Sequence, residues 1–257
     1  MPAKQLKGDT DKPEGYLREY ERAFAAIADR EVRVLELGVH KGGSLLMWRD
    51  YFSMGPVVGL DVNAVQVDDP TARIHVYQGY QEDMTLLTRI AQEHAQDGFD
   101  VIVDDASHIG ELTAISFCHL FKHHLKPGGI YAIEDWGTGY WGGHSYYPDG
   151  RRFRGNSEVI ESVGRGSLLE CSLRWLSKRR VVKRTAYLGR LFSAYRYASH
   201  FSAHEYGMPG FIKQLVDECG AYDITNPEWG NPPQRPSMIS RMVVRPGLVL
   251  VFKAEND

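Results

Sequence analysis

The chain of 257 residues has only three cysteines, Cys118, Cys171 and Cys219, and they stand far apart. This spacing excludes a Cys-x-x-Cys metal site and a dense disulfide framework, and it suits a reducing compartment. Long apolar runs are also missing, since the longest late one is the six-residue GLVLVF. The first 15 residues, MPAKQLKGDTDKPEG, contain no apolar core typical of a signal peptide. We therefore expect a cytoplasmic globular protein with no membrane span.

A strong excess of charge of one sign is absent as well. The formal net charge is -3, which argues against nucleic acid as a partner. The charge is unevenly spread, because residues 151–200 hold 12 Lys or Arg and only 3 Glu. A solvated helix face is the default explanation for this basic segment. Contact with an anionic acceptor and contact with a second subunit are the alternatives.

Hydrophobic residues make up 43% of the chain, enough for a substantial core. Apolar runs alternate with segments of helical spacing, and each run is unbroken, which predicts an α/β fold with a mostly parallel sheet and helices on both faces. SMISRMVVRPGLVLVFKA (237–254) predicts an antiparallel hairpin at the C-terminal end. We expect one domain over residues 1–257, with a helical lid inserted at about 137–205 and a loose polar stretch at 1–15. Strands are predicted at 32–39, 57–62, 73–79, 99–105 and 130–135, a turn at KPGG (126–129), and helices at 16–28, after HKGGS, at 83–95, at 111–125 and at 209–223.

A glycine turn follows the first predicted strand in VLELGVHKGGS, where Glu36 precedes Gly38. Its G-x-x-x-G-G spacing differs from the G-x-G-x-x-G of dinucleotide enzymes, which counts against a nicotinamide oxidoreductase. A looser turn suits a cofactor without phosphate, such as S-adenosylmethionine. Asp61, which ends the second strand, is placed to accept hydrogen bonds from ribose hydroxyls. The alternative is a tight turn with a capping aspartate, which any α/β protein can contain.

Acidic residues end the fourth and fifth predicted strands, in DVIVDDASHIGE and IYAIED. Asp105, Glu134 and Asp135 would meet at one sheet edge and repel one another unless a cation lay among them. Oxygen ligands favour a hard cation, Mg²⁺ before Ca²⁺ or Mn²⁺. His108 would then be the general base that takes a proton from the acceptor hydroxyl. Helix capping by Asp104, ordinary surface acids and a surface histidine are the alternatives.

Together, the motifs VLELGVHKGGS, GLDV, QGYQED, VDDASHI, LKPGGIYAIEDWGTGYW and RPGLVLVFKA resemble the metal-dependent sugar O-methyltransferases of macrolide tailoring. The resemblance implies the class I methyltransferase (Rossmann-like) fold, S-adenosylmethionine and Mg²⁺ as cofactors, and a homodimer or higher homo-oligomer. It implies Asp105, Glu134 and Asp135 as metal ligands and His108 as the base. It also places Tyr16 at the mouth of the site, and it implies a cofactor site lined by Glu36, Gly38, Ser44, Asp61, Gln81 and Asp104. SMISRMVVRPGL departs from the family pattern, and we predict no functional role there.

The aromatic loop WGTGYWGGHSYY offers flat faces that suit sugar rings, with Trp136, Tyr140 and Trp141 as candidate acceptor contacts. Simple core or loop anchoring is the alternative for each. We therefore predict methyl transfer to a sugar hydroxyl of a glycoside, oligosaccharide or polysaccharide precursor. A small-phenol or catechol-type O-methyltransferase and a non-catalytic glycan-binding protein on the same fold are the alternatives.

Overall fold

The computed structural model describes residues 5–6, 11–140, 207–220 and 237–255. Within these residues, seven strands form one sheet in the order β3-β2-β1-β4-β5-β7-β6. The first five strands are parallel, whereas β7 runs antiparallel to both β5 and β6. The strands are β1 (Val34–Leu37), β2 (Val57–Asp61), β3 (Ile74–Gln78), β4 (Phe99–Asp104), β5 (Leu125–Glu134), β6 (Ile239–Val244) and β7 (Leu248–Lys253). This topology confirms the predicted sheet and its C-terminal hairpin.

Helices cover both faces of the sheet. One face carries the buried aromatic residues of the first two helices, and the other carries the apolar residues of the remaining three α-helices. Successive strand residues face opposite sides of the sheet. Val101 and Val103 pack in the core on the side of the first two helices, and Ile102 packs in the core on the other side. The helices are α1 (Glu14–Phe24), α2 (Gly43–Tyr51), α3 (Met84–His94), α4 (Gly110–His123), a short 3-10 helix (Trp136–Tyr140) and α5 (Gly207–Cys219).

Local sequence explains the helices that position the site. In α1, Tyr16, Tyr20 and Phe24 recur every four residues and are buried together, so one stripe of the helix faces the sheet. The side chain of Asp83 accepts a hydrogen bond from the Leu86 amide at 3.0 Å and so caps the start of α3. None of the described helices combines the length and hydropathy that a membrane crossing needs.

Three predictions differ from the structure. Helix α1 ends at Phe24 rather than at residue 28, because turns follow it. The predicted turn at KPGG lies inside β5, where the pairing with β4 shifts register between Leu125 and Ile130. Within the stretch predicted to be loose, Lys12 is instead buried, at only 8% exposure, because its ammonium pairs with acids of the sheet edge. Of the lid predicted at about 137–205, only residues 137–140 are described, and the rest lies outside the described residues.

Candidate active site

Acidic residues gather at the carboxyl edge of the parallel strands. Asp61 ends β2, Asp104 ends β4 and Glu134 ends β5, while Asp105 and Asp135 come directly after the last two. The strand register places Asp104 beside Leu37 of β1 and Ile133 of β5. Because parallel strands bind ligands beyond this edge, the acids lie where a site is expected.

The turn after β1 requires glycine because it passes very close to β4. Gly38 has a φ of +81°, and a Cβ built on it would lie 2.3 Å from the backbone oxygen of Asp105. The amide of Gly38 donates to the Leu60 oxygen of β2 at 2.7 Å, and the amide of Gly42 donates to the Val39 oxygen at 2.7 Å within the turn itself. The close approach of Gly38 to Asp105 thus brings the predicted cofactor loop against a predicted metal ligand.

Asp61 holds the same turn from the side of β2. Its Oδ2 accepts hydrogen bonds from the amides of Val39 and His40, both at 3.0 Å, and its Oδ1 accepts from the Asn63 amide at 2.8 Å. Ser44, at the start of α2, donates from its Oγ to Glu36 Oε2 at 2.6 Å. The structure therefore brings the predicted residues Glu36, Ser44 and Asp61 to one loop.

Asp104 and Gln81 belong to a buried network on the α4 side of the sheet. The carboxylate of Asp104 accepts hydrogen bonds from Ser116 Oγ at 3.0 Å and from Tyr131 Oη at 3.1 Å. Gln81 Nε2 lies 3.4 Å from the same carboxylate, while its Oε1 accepts from the Ser107 amide at 3.0 Å. Burial raises the pKa of Asp104 to about 6, although these hydrogen bonds lower it. The network supports the loop that carries His108.

Lys12 lies among three acids on the other face. Its Nζ is 2.7 Å from Glu134 Oε1, 2.9 Å from Asp105 Oδ2 and 3.1 Å from Glu36 Oε1. Burial lowers the pKa of Lys12, but the three carboxylates raise it well above its ordinary value, so the ammonium is charged. One ammonium thus joins the predicted cofactor acid Glu36 to two of the predicted metal ligands.

Glu134 is the most enclosed of the predicted metal ligands, at 2% exposure. Besides the Lys12 contact, its Oε1 accepts a hydrogen bond from Tyr20 Oη at 2.6 Å. Burial raises the pKa of Glu134, with Asp105 adding to the rise and Lys12 opposing it. Burial likewise raises the pKa of Tyr20 well above its ordinary value, so its hydroxyl is a hydrogen-bond donor at neutral pH.

Asp105, His108 and Asp135 converge at the edge of the site. Each offers one ligand atom, and these atoms lie within 4.8 Å of one another. Tyr16 Oη donates to Asp135 Oδ1 at 2.8 Å, and Asp135 Oδ2 lies 3.9 Å from His108 Nε2. Burial, together with the Asp135 contact, raises the pKa of Tyr16. The geometry brings together His108, two of the three predicted metal ligands and the predicted tyrosine of the site mouth.

The predicted aromatic acceptor contacts are only partly described. Trp136 begins the 3-10 helix after Asp135, and its Nε1 donates to the backbone oxygen of Arg245 at 2.9 Å. Tyr140 ends that helix, but its side chain lies outside the described residues, as does all of Trp141. Contact of these aromatic residues with a sugar stays a prediction.

Lys12, Tyr20, Ser116 and Tyr131 were not predicted as site residues. Tyr20 carried a signal, because it continues the buried stripe of α1 from Tyr16. Lys12 lies in a polar stretch that resembles a solvated terminus, and its acidic partners are far away in sequence. No local pattern indicates such a residue.

Comparison with known proteins gives relatives of one kind, although no family model matches the sequence. Over 146 residues the chain is 41% identical to mycinamicin VI 2''-O-methyltransferase of Micromonospora griseorubida, covering 54% of this chain and 35% of the relative. Over 171 residues it is 36% identical to L-olivosyl-oleandolide 3-O-methyltransferase of Streptomyces antibioticus, covering 62% and 42%. The chain therefore spans well under half the length of the curated relatives it matches.

A solved structure supports the same assignment. MycE methyltransferase from the mycinamycin biosynthetic pathway, in complex with Mg, SAH and mycinamycin VI, superposes with a TM-score of 0.59 at 28% sequence identity. The superposition covers 94% of this chain and 49% of MycE. The resemblance inferred from the motifs is thus confirmed: the chain has the class I methyltransferase fold, and its sequence is similar to those of sugar O-methyltransferases of macrolide pathways.

Proposed function

We propose that the protein is an S-adenosylmethionine- and Mg²⁺-dependent O-methyltransferase that acts on a sugar hydroxyl. The observation that carries this proposal is the convergence of Asp105, His108 and Asp135 within 4.8 Å, beside the glycine turn that contains Gly38. This arrangement places a candidate base and candidate metal ligands next to the candidate cofactor loop. The relatives named above methylate sugars, which supports the same acceptor class.

The acids present suit a divalent cation. The carboxyl groups of Glu36, Asp105 and Glu134 surround the single ammonium of Lys12, and Asp135 adds a fourth carboxyl group close to His108. Carboxylate oxygens are the ligands that Mg²⁺ prefers, and Asp105, Asp135 and Glu134 would hold it. When bound, Mg²⁺ would lower the pKa of an acceptor hydroxyl in its coordination sphere.

The residues of the chain would perform the proton transfer and the alignment. His108 Nε2 would accept the proton of the acceptor hydroxyl, and Asp135 Oδ2, 3.9 Å away, would stabilise the resulting imidazolium. Tyr16 would orient Asp135 by its 2.8 Å hydrogen bond. Glu36, Gly38, Ser44 and Asp61 would position S-adenosylmethionine, which supplies the methyl group. Asp104 and Gln81 would support this site from the buried network beneath it.

The first experiment is calorimetric titration of S-adenosylhomocysteine into the purified protein, once with Mg²⁺ and once with EDTA. We expect micromolar binding in both buffers if the metal serves the acceptor. Methyl transfer to mycinamicin VI and to simple rhamnosides would then be assayed with and without Mg²⁺. Absence of S-adenosylhomocysteine binding in both buffers would overturn the methyltransferase proposal. Transfer to catechol rather than to sugars would overturn the acceptor class.

A homodimer or higher oligomer, a cytoplasmic location and a lid over the site from about residue 137 to 205 stay parts of the proposal. The described cysteines Cys118 and Cys219 are free thiols, which is compatible with a reducing compartment. Light scattering coupled to size-exclusion chromatography would test the oligomeric state. A monomer at micromolar concentration would contradict it.

A further inference from the structure

The tip of the β6–β7 hairpin contacts the elements that surround Asp135. We define the hairpin tip as Arg245, Pro246 and Gly247. The amide of Arg245 donates to the Leu248 oxygen at 2.8 Å, which closes the turn. The Arg245 oxygen accepts the indole N–H of Trp136, which directly follows Asp135, and Arg245 Nε lies 3.3 Å from Glu19 Oε1 of α1. The tip therefore joins α1 to the end of β5.

Within the hairpin tip, Gly247 lies directly against the side chain of Tyr16. It has a φ of +78°, and a Cβ built on it would lie 1.9 Å from Tyr16 Oη and 2.8 Å from Tyr16 Cζ. The tyrosine ring therefore packs directly on bare backbone, and any side chain at this position would displace it. The hydroxyl held there donates to Asp135 Oδ1 at 2.8 Å.

The backbone conformation and the carboxylate of Asp135 both call for support from neighbouring residues. Its backbone has a φ of +51°, a conformation that costs free energy for a residue with a side chain. The Tyr16 hydrogen bond holds one carboxylate oxygen, and the other lies toward His108. Neighbours that fix a ligand's orientation in this way commonly alter metal affinity when they are changed.

We propose that the hairpin tip is a positioning element for Asp135, acting through Tyr16, and that Gly247 is its key residue. The inference rests on the proposed function, since it takes Asp135 as a metal ligand. A glycine needed only for the turn would affect stability and leave metal affinity unchanged. A positioning glycine changes metal affinity in particular.

The test compares Gly247→Ala with Gly128→Ala. Gly128 has a similar φ of +72°, but a Cβ there meets only the flexible side chain of Glu255, at 3.4 Å and beyond. Both variants thus carry the same type of backbone penalty, and only one of them displaces Tyr16. We expect Gly247→Ala to bind Mg²⁺ on the order of 10-fold more weakly by calorimetry, with S-adenosylhomocysteine affinity in EDTA unchanged. Gly128→Ala should match the wild type in both affinities.

Tyr16→Phe provides a second measurement that adds no Cβ and retains the ring. It should also weaken Mg²⁺ binding, and adding Gly247→Ala to it should cost little more, because the hydrogen bond is already lost. Equal Mg²⁺ affinity for Gly247→Ala and Gly128→Ala, or for Tyr16→Phe and wild type, would overturn the inference and leave the proposed function standing. A wild-type protein that binds neither S-adenosylhomocysteine nor Mg²⁺ would overturn both.

Discussion

His108 and Asp135 approach each other to 3.9 Å between Nε2 and Oδ2, and both hold a left-handed backbone, with φ of +55° and +51°. Residues with side chains rarely adopt this conformation, and it concentrates at functional sites. The loop after β4 and the end of β5 thus turn the two side chains toward each other at a cost in backbone free energy. A substitution at either position must therefore tolerate a left-handed backbone if the fold of the site is to stay intact.

His108→Asn is a better test of the base than His108→Ala, because asparagine tolerates the left-handed region. We expect turnover to fall by about 10²–10⁴-fold, since the amide of an asparagine cannot accept the proton at neutral pH. Affinity for S-adenosylhomocysteine should stay within about twofold, as the proton transfer is not part of cofactor binding. His123→Ala, at an exposed position of α4, is the control. Near-normal turnover by His108→Asn would remove His108 from the role of base.

Asp135→Asn retains an oxygen that can accept the Tyr16 hydrogen bond and removes the negative charge. Mg²⁺ affinity and activity should fall together by at least about 10-fold, because an amide oxygen is a weaker ligand for a hard cation. The Mg²⁺ dependence of the initial rate is the measurement. Asp97→Asn, on the exposed loop before β4, is the matched control. An unchanged Mg²⁺ titration would exclude Asp135 from the ligands.

Lys12→Met should lower the free energy of unfolding by about 3–5 kcal/mol, because it leaves three carboxylates facing one another without their buried cation. The measurement is urea denaturation followed by circular dichroism. Lys126→Met is the control, since Lys126 pairs with Asp100 at 2.7 Å but is 28% exposed, and it should cost less than about 1 kcal/mol. If both variants lost the same free energy of unfolding, the buried Lys12 ion pairs would stabilise the protein no more than the partly exposed Lys126–Asp100 pair does.

Asp69 organises the loop between β2 and β3, and it predicts an acid-sensitive contribution to stability. Its carboxylate accepts hydrogen bonds from the amides of Thr71, Arg73 and Ile74 and from Arg49. Burial raises the pKa of Asp69, but its hydrogen bonds together lower the pKa by more than burial raises it. The folded pKa therefore lies below the ordinary value. A lowered folded pKa means that the stabilisation is fully present above the unfolded pKa of about 4, declines as the pH falls below it, and is lost as the pH falls through the folded pKa.

Asp69→Asn should therefore be less stable than the wild type by about 2 kcal/mol at about pH 6, and this difference should shrink at about pH 3. Urea denaturation at the two pH values measures both differences. A difference that does not change with pH would show that the Asp69 charge contributes nothing.

The order of apolar runs and glycine turns allowed the sheet to be predicted, because the parallel strands are short and mainly hydrophobic and all of them except β1 end in a polar residue. The same pattern placed Asp61, Asp105 and Asp135 at one edge. Lys12 was missed because its burial depends on carboxylates of β1, of β5 and of the loop after β4, and no local window of sequence contains them. The left-handed conformations of His108 and Asp135 also have no local sign, since neither residue is glycine.

The contact between Gly247 and Tyr16 can form only late in the synthesis of the chain. Tyr16 belongs to the first helix and Gly247 to the last hairpin, so the ribosome adds more than two hundred residues between them. During that time β5 lacks its partner β7, and the tyrosine lacks the backbone on which it packs. In a nascent chain halted before the hairpin, Tyr16 lacks the packing through which we propose that it orients Asp135. On this proposal, the ligand set around Asp135 takes its shape only when the β6–β7 hairpin has joined the sheet.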